Sequence, residues 1–346
     1  MGVAASKSEK LWEACGYGRV EQVRELLQFS AIQVNWVSYT HNSCPIHACC
    51  AAAPSQKEKE ILEMLIDKRC NVNAKDERGC LALHHASMKG HSDFIAILVK
   101  AGSETDVQDK NGWTALMTAA YWCHPQTVKT LLEFGSDVQL KNREGRTALH
   151  EACRSRSKNE HQVEEVVRYI VNFGAQVDDK SSTEGEADFT PLMCAAYHAH
   201  NGAVRALIEA SCDVNEQGTN GWTALHWAAD KGHKDIILQL LQAGINTQLT
   251  GKLNERAEDR TEDEDIKSLI RNFKYTPTVP KICVTGQTND ARGRTRVEDL
   301  KECSRRNDAS PARSAVSTMS PPSSRSGSIS DFSDEEDVSK SKNTTV

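Results

Sequence analysis

Gly112-Trp113-Thr114-Ala115-Leu116 spells GWTAL, and the same word returns at Gly221 to Leu225. Each copy opens a run reading T-A-L-x-x-A-A, followed by a second apolar run that ends in Leu-Leu. Trp113 and Trp222 stand 109 residues apart, which is no obvious period until two related words between them are counted: TALHEACRS from Thr147 and TPLMCAAYH from Thr190. Thr114 to Thr147 is 33 residues, Thr190 to Thr223 is 33 again, and the middle interval is 43. Three periods of 33 with ten inserted residues account for the offset.

The inserted residues can be placed. Ala119 to Leu131 spans twelve residues, as do Ala195 to Leu207 and Ala228 to Leu240, whereas Ala152 to Ile170 spans eighteen. Six residues are therefore expected to lengthen the turn between two helices, and the other four fall in the acidic stretch DDKSSTEGEADF before Thr190, which reads as a longer loop. Weaker copies lie upstream: LALHHASMKGH from Leu81, CPIHACC from Cys44 with about four extra residues around APSQ, and LWEACGYGRVEQVRELL from Leu11. The last copy decays into LNERAEDRTEDEDIKSLI from Leu253. Six marked units between atypical ends are what stacking requires, because a terminal unit must turn one face to water.

A 33-residue period carrying T-P-L-H-x-A, then G-H, then Leu-Leu, then G-A-D-V-N resembles the ankyrin repeat family. The likeness covers Leu11 to about Phe273 and implies an all-α solenoid, with two antiparallel helices and a β-hairpin loop per repeat. The residues agree with it independently. Thr114, Thr147, Thr190 and Thr223 stand where a first helix starts and can cap its free N–H groups. Ala119, Ala120, Ala195, Ala196, Ala228 and Ala229 are small where two helices must approach closely. The expected domains are a flexible start over 1–10, the repeats over 11–273 and a disordered tail over 274–346.

No cofactor, metal or catalytic residue is expected. Of the 12 cysteines, Cys15, Cys50 and Cys153 take the second alanine of the A-A pair, Cys49 the first, and Cys70 and Cys212 the alanine of G-A-D-V-N. They stand in for alanine as small buried thiols rather than as metal ligands. His47, His84, His150 and His226 occupy the H of T-P-L-H, but Met117 and Met193 replace it in two repeats. Methionine cannot stand in for an imidazole zinc ligand here, so the ladder reads as structural. TGKL at Thr250 lacks the glycine spacing of a phosphate loop, and GYGRV at Gly16 lacks a third glycine.

At 346 residues with 38 % hydrophobic and 26 % charged residues, the composition is that of an ordinary soluble chain. No run approaches the roughly 18 apolar residues of a membrane span, and the start lacks a secretory apolar core, so a cytoplasmic protein is expected. A net charge of -6 gives no reason to expect nucleic acid. A monomer is expected.

Function is sought where the repeats differ. The resemblance implies a concave face lined by hairpins and first helices, often used for partners. The position before the threonine carries Trp113, Arg146, Phe189 and Trp222, and the two positions after the A-A pair carry Tyr121 with Trp122 and Tyr197 with His198. Aromatics are only 5 % of the chain, yet they gather at these variable positions, and rigid aromatics with arginine anchor interfaces. These eight residues are expected to form one concave partner site.

The ends add separate signals. MGVAASKS, with Gly2 and Ser6, resembles an N-myristoylation site, and one such chain gives marginal membrane binding that needs a second contact. Residues after about Tyr275 are serine-rich and poor in large apolar side chains. Ser310 and Ser320 precede prolines and Ser333 precedes Asp334, Glu335 and Glu336, contexts that suit kinases. Thr344, Thr345 and Val346 resemble a ligand for a PDZ-domain protein. The reading is a non-enzymatic adaptor, tethered through Gly2 to the inner face of the plasma membrane or another membrane. The alternative is a regulatory subunit docking on a phosphatase or kinase.

Overall fold

The computed structural model describes residues 2–39, 41–53, 55–181 and 188–273, with the backbone alone for 2–6. All belong to the first of the chain's two units, Met1–Pro280. The expected tail, with Ser310, Ser320, Ser333, Thr344 and Val346, lies outside the described residues, as does the core of the acidic loop at 182–187.

GWTAL shows how one repeat is built. Gly112 takes φ +80° at the end of a tight turn closed by its own N–H on the Asp109 carbonyl at 3.0 Å, a conformation in which a side chain would be strained. Trp113 follows, and Thr114 is the extended N-cap whose Oγ1 accepts the Met117 N–H at 3.2 Å. Ala115 and Leu116 then open the first helix, fully buried. Gly79, Gly145 and Gly221 repeat the positive φ.

Repetition yields two layers. First helices are α1 (Gly2–Gly16), α3 (Pro45–Ala51), α5 (Ala82–Lys89), α7 (Ala115–Tyr121), α9 (Ala148–Cys153), α11 (Pro191–Tyr197) and α13 (Ala224–Lys231), closed by a 3-10 turn at Ala257–Arg260. Second helices are α2 (Val20–Leu26), α4 (Gln56–Asp67), α6 (Ser92–Lys100), α8 (Pro125–Glu133), α10 (Glu160–Asn172), α12 (Asn201–Glu209), α14 (Lys234–Gln242) and α15 (Glu264–Asn272). Each first helix packs on the next first helix and on its own second helix, and the second helices pack in turn. The alanine pairs are at most 1 % exposed and Leu131, Val166, Leu207 and Leu240 are sealed between layers, so one core runs through every unit.

Three expectations are refined. The hairpins are tight loops, not ladders: Asp109 N–H reaches the Trp113 carbonyl at 2.9 Å and Gly218 N–H the Trp222 carbonyl at 2.9 Å. Among the described residues, the β pairing outside the helices is a single bridge, Thr250 with Arg256. The six-residue insertion divides between a longer turn, 154–159, and about one extra helical turn, since α10 has 13 residues against 9 in α8. The segment 1–10, expected to be flexible, is helical from Gly2. Its alanine and lysine residues favour a helix, Leu11, Ala14 and Cys15 bury the helix face, and the Ser8 Oγ accepts the Gln33 N–H at 3.4 Å.

Candidate partner-binding face

The variable residues sit on a backbone held from behind. In His47, His84, His150 and His226, Nδ1 accepts the N–H of the residue three before it at 3.0–3.2 Å. That acceptance puts the proton on Nε2, which in three of the four donates across the repeat boundary: His47 to the Ala74 carbonyl at 3.0 Å, His84 to Trp113 at 3.2 Å, His150 to Phe189 at 3.0 Å. Two of the aromatic residues are thus fixed at their own carbonyl. Burial lowers the pKa of all four rings, that of His150 to about 4. Where Met117 and Met193 replace histidine, Thr114 and Thr190 cap the helix through their hydroxyls.

Beyond this frame, ring contacts gather seven of the eight expected residues into two groups. Trp113 meets Tyr121 edge-on with centroids 5.5 Å apart, and Tyr121 meets Trp122 at 5.8 Å. Phe189, Tyr197 and Trp222 gather around Trp227, which lies 4.9 Å from Phe189, 5.5 Å from Tyr197 and 4.5 Å from Trp222, and His198 meets Tyr197 at 4.9 Å. Arg146, in the repeat between, pairs with Glu144. His198 remains open to solvent, yet the atoms packed about its ring, with Arg154, His200 and Arg146, push its pKa down to about 4.

Trp227 escaped the sequence reading. It stands four residues after Thr223, a position filled elsewhere by Thr118, Glu151 and Cys194, so no residue type recurs there. Helical spacing is the signal that finds it, because this position lies on the same face as Tyr197's register position three residues later. The same position explains Glu151, whose buried carboxyl accepts from Asn142 Nδ2 at 3.1 Å and Arg154 at 2.9 Å. Burial raises its pKa against the pull of Arg154 and Arg146.

The cysteines lie where alanine was expected to be replaced. Cys15, Cys49, Cys50 and Cys153 are sealed, with burial raising each thiol's pKa, and Cys70 and Cys212 are nearly so. Gly2, the expected acylation site, begins α1.

Helix pairs stacked in two layers, joined by glycine-bearing loops and varied along one edge, define a tandem-repeat protein. The family model described as "Ankyrin repeats (3 copies)" matches residues 46–142, 83–181 and 159–250, more than half of the chain, and the chain belongs to the ankyrin repeat family. Ankyrin repeats are generally protein–protein interaction modules. Curated relatives include mouse ankyrin repeat domain-containing protein 40, 34 % identical over 68 residues, which is 19 % of each chain. Mouse ankyrin repeat and SAM domain-containing protein 6 is 39 % identical over 71 residues, 20 % of this chain and 8 % of that one. The match thus spans a fifth or less of the length of these relatives. The human ASB11 ankyrin repeat domain superposes with a TM-score of 0.58 at 23 % identity, covering 68 % of this chain and 99 % of that one. The ankyrin repeat domain of Bcl-3 gives 0.55 at 22 %, covering 67 % and 99 %. These two likenesses establish the fold.

Proposed function

We propose that the repeat stack is a non-catalytic adaptor whose first-helix edge holds a protein partner. One observation carries the reading: Trp122 is 41 % exposed on the end of a helix whose hairpin is pinned by the His84 bond, so a large apolar side chain is presented to solvent on a rigid support. A rigid aromatic loses little entropy when it is covered, which is why such residues anchor interfaces. The accompanying roles rest on sequence alone: acylation of Gly2 as one of two membrane contacts, phosphorylation of Ser310, Ser320 or Ser333, and docking of Thr344 and Val346 in a PDZ groove.

The test is a photo-crosslinking residue placed at Trp122 or, as a control, at Phe173, which is 47 % exposed after the second helix α10. A discrete protein adduct from position 122 and none from 173 is expected. Equal adducts, or none from 122, would remove the reading. Phosphatase or kinase peptides in the adduct would identify the protein as a regulatory subunit. Intact mass of the protein from eukaryotic cells checks Gly2 separately, where an unmodified or merely acetylated start counts against acylation.

A further inference from the structure

The two aromatic groups differ in what already covers them. Around Trp227 the chain supplies its own cations: Lys231 Nζ lies 4.7 Å over the Tyr197 ring and the Arg260 guanidinium 4.3 Å over Trp222. Asp230 neutralises both, at 3.4 Å from Lys231 and 2.8 Å from Arg260. Glu255 accepts the Trp222 indole N–H at 2.6 Å. That group is closed upon itself. Among the described residues, no cation lies over Trp113, Tyr121 or Trp122, whose ring contacts are with one another.

The loops of the same repeats carry cations that lie outside the ion pairs of the stack. Arg78, Lys110 and Arg143 stand on successive loop tips that are linked backbone to backbone, Lys110 N–H to the Arg78 carbonyl at 2.9 Å and Arg143 N–H to the Asn111 carbonyl at 3.0 Å. Lys89 holds, one repeat earlier, the register position of Trp122. All four are exposed, and no ion pair among the described residues involves them. The carboxylates of the same loops are engaged elsewhere. Asp76 meets His85 at 2.9 Å, Asp109 accepts the N–H groups of Asn111 and Trp113 at 2.8 Å, Glu144 pairs with Arg146, and Glu77 accepts from Asn42 at 3.1 Å.

We infer that this half of the face binds an acidic peptide segment carrying one large apolar side chain, which seats on Trp122 while its carboxylates reach Lys89, Lys110 and Arg143. The inference rests on the adaptor reading and names the chemistry of its partner. Successive repeats place their helix axes about 10 Å apart, and three residues of extended peptide span about 10 Å. Acidic residues three apart therefore meet cations one repeat apart. A peptide supplies the apolar side chain that would cover the exposed Trp122 ring, and a nucleic acid strand is the alternative that the uridine control tests.

The experiment uses the full chain and fluorescence anisotropy, with a labelled nine-residue peptide of glutamates around one central phenylalanine. Controls are the same peptide with glutamine throughout and a uridine nonamer. The glutamate peptide should bind, more weakly as salt rises. Lys110→Glu combined with Arg143→Glu should weaken it at least about tenfold, and Trp122→Ala about tenfold. Lys231→Glu, on the closed group, should change it less than about twofold. Circular dichroism of each variant verifies that it folds. Equal binding of the glutamine peptide, tighter binding of the uridine nonamer, or an equal loss with Lys231→Glu overturns the proposal. The adaptor reading fails differently: an adduct from position 122 that persists under saturating glutamate peptide sinks the acidic chemistry alone, whereas absence of that adduct sinks the adaptor.

Discussion

The His150 ring accepts the Thr147 N–H and donates to the Phe189 carbonyl, so only the neutral form with its proton on Nε2 suits both partners. Its folded pKa is about 4, against the ordinary 6.5, because burial penalises the charged ring. The unfolded chain takes up a proton near 6.5 and the folded chain near 4, so this stabilisation is complete above 6.5 and is lost as pH falls from 6.5 toward 4, by up to about 3 kcal/mol. His47 and His84 shift in the same direction. Urea midpoints should therefore fall between pH 7 and pH 4.5. His150→Met, using the residue found at Met117 and Met193, should flatten that fall while costing about 1 kcal/mol at pH 7 through the lost Phe189 bond. An unchanged pH slope would contradict the assignment. This ladder and the Thr114 and Thr190 caps were legible because the 33-residue register lined them up, whereas Thr147 and Thr223, expected to cap in the same way, turn their hydroxyls to Nδ1 of His150 and His226. Trp227 was not, because a residue that differs in every repeat leaves no pattern to align.

Loops and helix ends carry a different expectation. Gly112 and Gly135 both have positive φ, at +80° and +84°, but a Cβ on Gly112 would meet Arg143 N at 2.8 Å and Asn142 Cα at 2.9 Å, while one on Gly135 meets nothing within 4 Å. Gly135→Ala should cost about 1 kcal/mol, the strain of a left-handed residue. Gly112→Ala should cost about 2–4 kcal/mol, because the backbone of the next loop must also yield. Denaturant titration of the pair measures the difference, and equal losses would mean that adjoining loops give way freely. The inverse case lies in the turn between helices. Gly90 and Gly232 take φ +76° and +75°, whereas Ala199 in the same register takes +66°. Ala199→Gly should be neutral or stabilising by up to about 1 kcal/mol, the relief of strain being partly offset by a looser unfolded chain. The helix pairs were readable from alanine and leucine spacing. The division of the α10 insertion was not, because inserted residues with helical propensity can lengthen a turn or a helix without changing the count.

Across the described stack each unit touches only its neighbours, so stability is a sum of unit and interface terms and the ends are covered on one side only. Hydrogen exchange should be slowest in α7, α9 and α11 and fastest in α1, α2 and α15. Uniform protection from end to end would show a single cooperative block. The start at Gly2 was hidden in sequence because small and polar residues keep no period of their own, and packing of the Leu11 face supplies the reason for a helix there. Trp113 gives the stack a further property. Its ring belongs to the open aromatic group, and its carbonyl is held by the Nε2–H of His84, whose pKa burial lowers although the Trp113 bond itself and Asp109 favour the protonated ring. Nε2 donates to that oxygen from the neutral and the charged ring alike, so proton uptake at His84 releases the Leu81 N–H from Nδ1 and leaves Trp113 held. A partner seated on Trp113 is thereby insulated from acidification at this histidine, the start of α5 giving way before the aromatic edge does.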